Sequence, residues 1–82
     1  TKKELERANC FVAQVNWCLD VEDSIRADVQ IRYRHQGVPA TIKKLESSRV
    51  RVEFDQPQIS IAPGQSAVFY QDDCVIGGGW LE

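Results

Sequence analysis

The sequence predicts an all-β fold, a small closed antiparallel β-barrel of about six strands, and three observations point to it. Apolar and polar residues alternate without a break from Ser24 to Arg34, the signature of a strand with one buried face. Short apolar runs then recur about every ten residues, separated by Gly, Pro and Asp turn signals. Nowhere does a helical period persist for as long as about ten residues. Six or seven strands this short leave edges exposed unless the sheet closes, so a barrel is preferred over a sandwich.

Each element follows in order. "TKKELER" (1–7) is a charged lead-in, helical or frayed, and "CFVAQVNW" (10–17) reads as a strand. Residues 1–23 therefore form a lead-in segment and entering strand, and 24–82 the barrel proper. "LDVEDS" (19–24) is a polar connection. In the strand that follows, Ile25, Ala27, Val29, Ile31 and Tyr33 share the inward parity, while Ser24, Arg26, Asp28, Gln30, Arg32 and Arg34 share the outward one. "HQG" (35–37) turns the chain, after which Val38, Ala40 and Ile42 face inward and Thr41 and Lys43 outward. "RVRVEFD" (49–55) sets Val50, Val52 and Phe54 against Arg49, Arg51, Glu53 and Asp55, and Ile59 and Ile61 lead to a Pro63-Gly64 turn. "SAVFY" (66–70) is continuously apolar, as in a strand covered on both sides. Asp72-Asp73 turns the chain once more, and "CVIGGGWLE" (74–82) closes it. Gly77, Gly78 and Gly79 lack the Lys-Ser/Thr and the following helix of a phosphate cradle. They read instead as a strand that passes tightly against a neighbour or bends at a barrel corner.

At 82 residues and 43% hydrophobic content the chain has room for one domain. It contains neither a membrane-length apolar run nor a secretory leader pattern, which predicts a soluble, cytoplasmic protein. The charged start at Thr1, without a methionine, reads as the interior of a longer polypeptide. Cys10, Cys18 and Cys74 form no C-x-x-C pair and His35 stands alone, a poor basis for a zinc site or a disulfide scaffold. The thiols are expected to act as small, buried or partly buried hydrophobes in a reducing compartment. No catalytic constellation assembles: His35 lacks a nucleophile, and Cys74 follows two carboxylates that oppose thiolate formation.

Charge is unevenly distributed. Residues 1–23 hold three Lys/Arg against five Asp/Glu, residues 24–51 seven against two, and residues 52–82 none against five. A basic middle recruits a polyanion, or else pairs across strands with the acidic remainder; composition leaves both readings open. Arg32 and Arg34 lie on one side of a strand about 7 Å apart, near the spacing of successive phosphates. Tyr33 between them either stacks on a base or packs inward. Lys43, Arg49 and Arg51, from the next two strands of the meander, extend the basic face, and Arg26 shares the parity of Arg32. Gln65, just past the Pro63-Gly64 turn, is by itself a solvated turn residue.

These segments also carry a family resemblance. "IRYR", "PAT" and "RVEFDQPQISIAPGQSAVFYQDDCVIGGGWLE", above all "PGQSAVFY" and "GGGW", resemble the C-terminal domain of the tRNA-specific 2-thiouridylases, the MnmA family. The resemblance implies a six-stranded barrel similar to domain 2 of translation elongation factors, following an ATP-pyrophosphatase-type catalytic domain and a small linking domain. It implies a parent enzyme that uses ATP with Mg to adenylate the C2 oxygen of a wobble uridine in tRNA. Sulfur then arrives as a persulfide from a sulfur-relay protein or cysteine desulfurase. The phosphate loop and catalytic cysteines of that chemistry belong to the other domain, and no "SGG" occurs here, so the barrel itself is expected to be catalytically inert and without cofactor or metal. By the same resemblance Arg32, Tyr33, Arg34 and Gln65 touch the anticodon region of tRNA, with Arg26, Lys43, Arg49 and Arg51 as weaker candidates. The alternative is a structural, protein-interaction barrel whose basic face docks on its parent's catalytic domain.

Overall fold

The period-two pattern becomes strands wherever one face can be buried. The computed structural model describes residues 6–31, 36–59 and 61–82. It contains β1 (Glu6–Trp17), β2 (Ser24–Gln30), β3 (Val38–Lys44), β4 (Val50–Ile59), β5 (Ser66–Gln71) and β6 (Cys74–Leu81). Every neighbouring pair is antiparallel, and the strands close into a barrel in the order β1-β4-β3-β2-β5-β6. β1, the strand expected to lead into the barrel, is one of its staves.

Inward parity places the core. Ala27 and Val29 of β2, Ala40 and Ile42 of β3, and Val50, Val52 and Phe54 of β4 are buried, in register across the three strands. On β5 the inward pair is Ala67 and Phe69, while Val68 and Tyr70 on the outer face are half-covered. β1 departs from strict alternation: Gln14 takes a left-handed φ of 55° at a bulge between Ala13 and Asn16. The extra residue lets both Val12 and Val15 point into the core. At the β3–β4 hairpin Ser47 and Ser48 both have φ of 61°, the double left-handed geometry that matches the twist of the flanking strands.

The glycine run of β6 is explained by close approach. A Cβ on Gly77 would lie 2.7 Å from the Trp17 ring, one on Gly78 2.6 Å from the Ala67 carbonyl oxygen, and one on Gly79 2.5 Å from the Ala13 carbonyl oxygen. Without side chains there, β6 seats between β1 and β5, and the Trp17 ring reaches Phe69 at a centroid distance of 5.6 Å. Because all pairs are antiparallel, the β2–β3 and β4–β5 connections emerge at one end of the barrel. The β1–β2, β3–β4 and β5–β6 connections emerge at the other.

Candidate nucleic-acid interface

Outward parity decides which cations meet solvent, and the folded sheet decides which of them meet carboxylates first. Arg32, Tyr33 and Arg34 lie outside the described residues. Their described flanks, Ile31 and Gln36, sit at the barrel end that also carries the β4–β5 turn. There Ile31, Gln36, Gln58, Ile59 and Ile61 line a cavity of about 60 Å³.

Gln65 is half-buried in that turn. Its Oε1 accepts the Ala62 N–H at 2.9 Å, its own backbone carbonyl accepts the Leu81 N–H at 2.8 Å, and Leu81 returns a carbonyl to the Gly64 N–H at 2.8 Å. Gly64, with φ of 88°, supplies the left-handed step. The turn thus uses the acceptor of the Gln65 carboxamide, and its two N–H donors take no part in it.

The four outlying cations are carboxylate-bound. Arg26 donates twice to Asp55, at 2.5 and 2.6 Å, and once to Thr41 Oγ1 at 3.0 Å. Arg49 donates to both carboxylate oxygens of Glu82 at 2.5 and 2.9 Å and stands 5.2 Å from the Phe11 ring centroid. Lys43 and Arg51 share Glu53, at 3.5 and 3.4 Å. These bonds raise the pKa of Arg26 and Arg49, and they hold Asp55 and Glu82 below the usual carboxylate range. A phosphate reaching any of these cations must displace a carboxylate already in place.

A feature invisible in the sequence lies along the seam where β2 meets β5. A groove of about 360 Å³ is lined by Arg26, Asp28, Pro39, Tyr70, Gln71 and Asp72, and it adjoins a hollow of about 270 Å³ that adds Gln30, Gln36 and Gly37. Tyr70 donates its hydroxyl to Gln30 Oε1 at 3.0 Å across the seam. The groove runs toward Gln36. Only the β2–β5 pairing, between strands far apart in sequence, brings Tyr70 to Asp28; no local pattern announces it.

The cysteines divide. Cys10 is buried, and burial pushes its thiol up to about 11, with Arg7 pulling weakly the other way. Cys18 and Cys74 are exposed, contrary to the expectation of buried thiols, because both fall at strand ends next to turns. Among the described residues no group of three His, Cys, Asp or Glu is placed to hold a metal ion. No helix there is long and apolar enough to cross a membrane.

Residues 7–81 match the family described as the aminomethyltransferase β-barrel domain. Curated relatives contain such a segment as part of a longer protein. A tRNA-specific 2-thiouridylase MnmA from Trichormus variabilis is 56% identical over 75 residues, covering 89% of this chain and 21% of the relative. Its counterpart from Nostoc punctiforme is 48% identical over 83 residues, covering 99% and 24%, and that from Picosynechococcus is 42% identical over 84 residues, covering 100% and 24%. The chain belongs to the MnmA C-terminal β-barrel family. It spans between a fifth and a quarter of the length of these MnmA relatives. The six-stranded closed barrel is the fold that the MnmA resemblance implied.

Proposed function

We propose that this chain is the tRNA-binding barrel of a tRNA-specific 2-thiouridylase, a domain without catalytic residues of its own. It holds the anticodon region while the rest of the enzyme thiolates the wobble uridine. In the parent, ATP with Mg activates the uridine C2 oxygen, and a persulfide carried by a sulfur-relay protein or cysteine desulfurase supplies the sulfur. The working compartment is the cytoplasm. The observation that supports the reading is that Ile31 and Gln36, which flank Arg32, Tyr33 and Arg34 in sequence, line one cavity with Ile59 and Ile61 at the barrel end that carries the Gln65 turn.

Arg32 and Arg34 supply charge for phosphates, Tyr33 a ring for a base, and Gln65 two amide donors that its turn does not use. Arg26, Lys43, Arg49 and Arg51 contribute less, since their carboxylates must first be displaced. The test is anticodon stem-loop binding by the full-length enzyme across a salt series. Arg32→Glu with Arg34→Glu should weaken binding and flatten the log-log salt slope by about 1.4, at about 0.7 per lost single-strand phosphate contact. An unchanged affinity and slope would reject the clamp.

A further inference from the structure

Charge divides the barrel wall in two. From 8 to 19, from 56 to 71 and from 74 to 81 the sequence holds no Lys, Arg, Asp or Glu. Closure places these stretches side by side, as β1 from Ala8 onward, β6, and β5. The opposite wall, β2-β3-β4, carries Arg26, Asp28, Lys43, Arg51, Glu53 and Asp55. On the uncharged wall large apolar side chains face solvent: Trp80 is 51% exposed, Val75 47% and Phe11 37%. Trp80 pairs in register with Ala13 on one side and Ser66 on the other. With Gly78 two residues back on its own strand, the indole stands above a floor of small residues.

We propose that this wall, β1-β6-β5, is the face on which the remainder of the parent polypeptide packs, with Trp80 as the anchoring side chain. Charge depletion around an exposed tryptophan is the composition of a protein interface core, and a proud indole among small neighbours suits a pocket opposite. RNA fits poorly: the three strands carry no cation of their own from Ala8 onward, the two that reach their rings, Arg49 at Phe11 and Lys44 at Trp17, are already held by Glu82 and the Val21 carbonyl, and the wall is bordered by Glu82 and Asp72.

Size favours a covalently joined occupant. Three strands about 4.8 Å apart and about eight residues long present roughly 350–400 Å². A freely diffusing partner uses about 800 Å² per side, whereas a tethered domain, held at millimolar effective concentration, needs less. The relatives, roughly four to five times longer than this chain, carry such a tethered remainder. The proposal rests on family membership and relative length, not on tRNA binding.

The test is Trp80→Glu in the full-length enzyme, read by X-ray scattering and by protease cleavage of the segment joining the barrel to the rest. Release of the barrel is expected as a larger radius of gyration and cleavage about tenfold faster, the effect of losing about 1.4 kcal/mol of docking. Thr41→Glu on the charged wall should change neither. If the glutamate variant loses its β-sheet circular dichroism, Trp80→Ser replaces it. Scattering and cleavage identical to wild type would overturn the proposal. So would a loss confined to tRNA binding, which marks an RNA platform, or a loss confined to self-association, which marks an interface between copies.

Discussion

Cys10 shows what burial does to one group. Its thiol faces the core from β1, and desolvation raises its pKa from the ordinary 9.0 to about 11. The unfolded chain therefore releases this proton first. The stability that the neutral thiol contributes is fully present below about pH 9 and lost as the pH rises through about 11. At neutral pH a thiol-specific reagent should modify Cys18 and Cys74 within minutes and Cys10 only after denaturant is added; three equally fast thiols would contradict the burial. At this scale the sequence marks which residues are apolar but not which are covered. Cys10, Cys18 and Cys74 look alike in the chain, and the difference lies in their distance from a turn. Likewise Arg26 has no visible partner until β3 and β4 bring Thr41 and Asp55 into reach, 15 and 29 residues away.

Period-two alternation is legible wherever one face of a strand is wet. β2, β3 and the first half of β4 follow it, and their buried sets match the inward parity of the sequence. β1 and β6 do not alternate visibly, since the buried Val12 and Val15 of β1 differ in parity and three glycines interrupt β6, so the bulge at Gln14 and the partners of the glycine run come only from the closed barrel. Gly79 and Gly64 separate two uses of glycine. Gly79→Ala sets a methyl against the Ala13 carbonyl, where only backbone movement makes room, and should cost about 3 kcal/mol or more. Gly64→Ala meets open space and pays only for its φ of 88°, about 1–2 kcal/mol. Urea unfolding of the two variants measures the difference; equal midpoints would refute the tight seam between β1 and β6. A domain of this size has only about 4–12 kcal/mol in total, so the first variant is a severe test.

The whole molecule has two walls and two ends. The sequence shows a basic middle and an acidic tail, and among the described residues the reading of that asymmetry as pairing with carboxylates is the one seen. Arg26, Lys43, Arg49 and Arg51 pair with carboxylates, so the basic run does not become a free cationic face among the described residues. The uncharged wall escapes any linear reading, because β1 and β6 lie at opposite ends of the chain and become neighbours only on closure. The two proposals therefore put separate tasks on separate surfaces: RNA at the end carrying the β2–β3 and β4–β5 connections, polypeptide against β1-β6-β5.

Amide hydrogen exchange of the full-length enzyme with and without tRNA tests this division most directly. The account predicts tRNA-dependent protection over residues 31–37 and 61–65, with β1, β6 and β5 protected equally in both states. Protection by tRNA along Phe11, Val75 and Trp80, with none at 31–37, would contradict it.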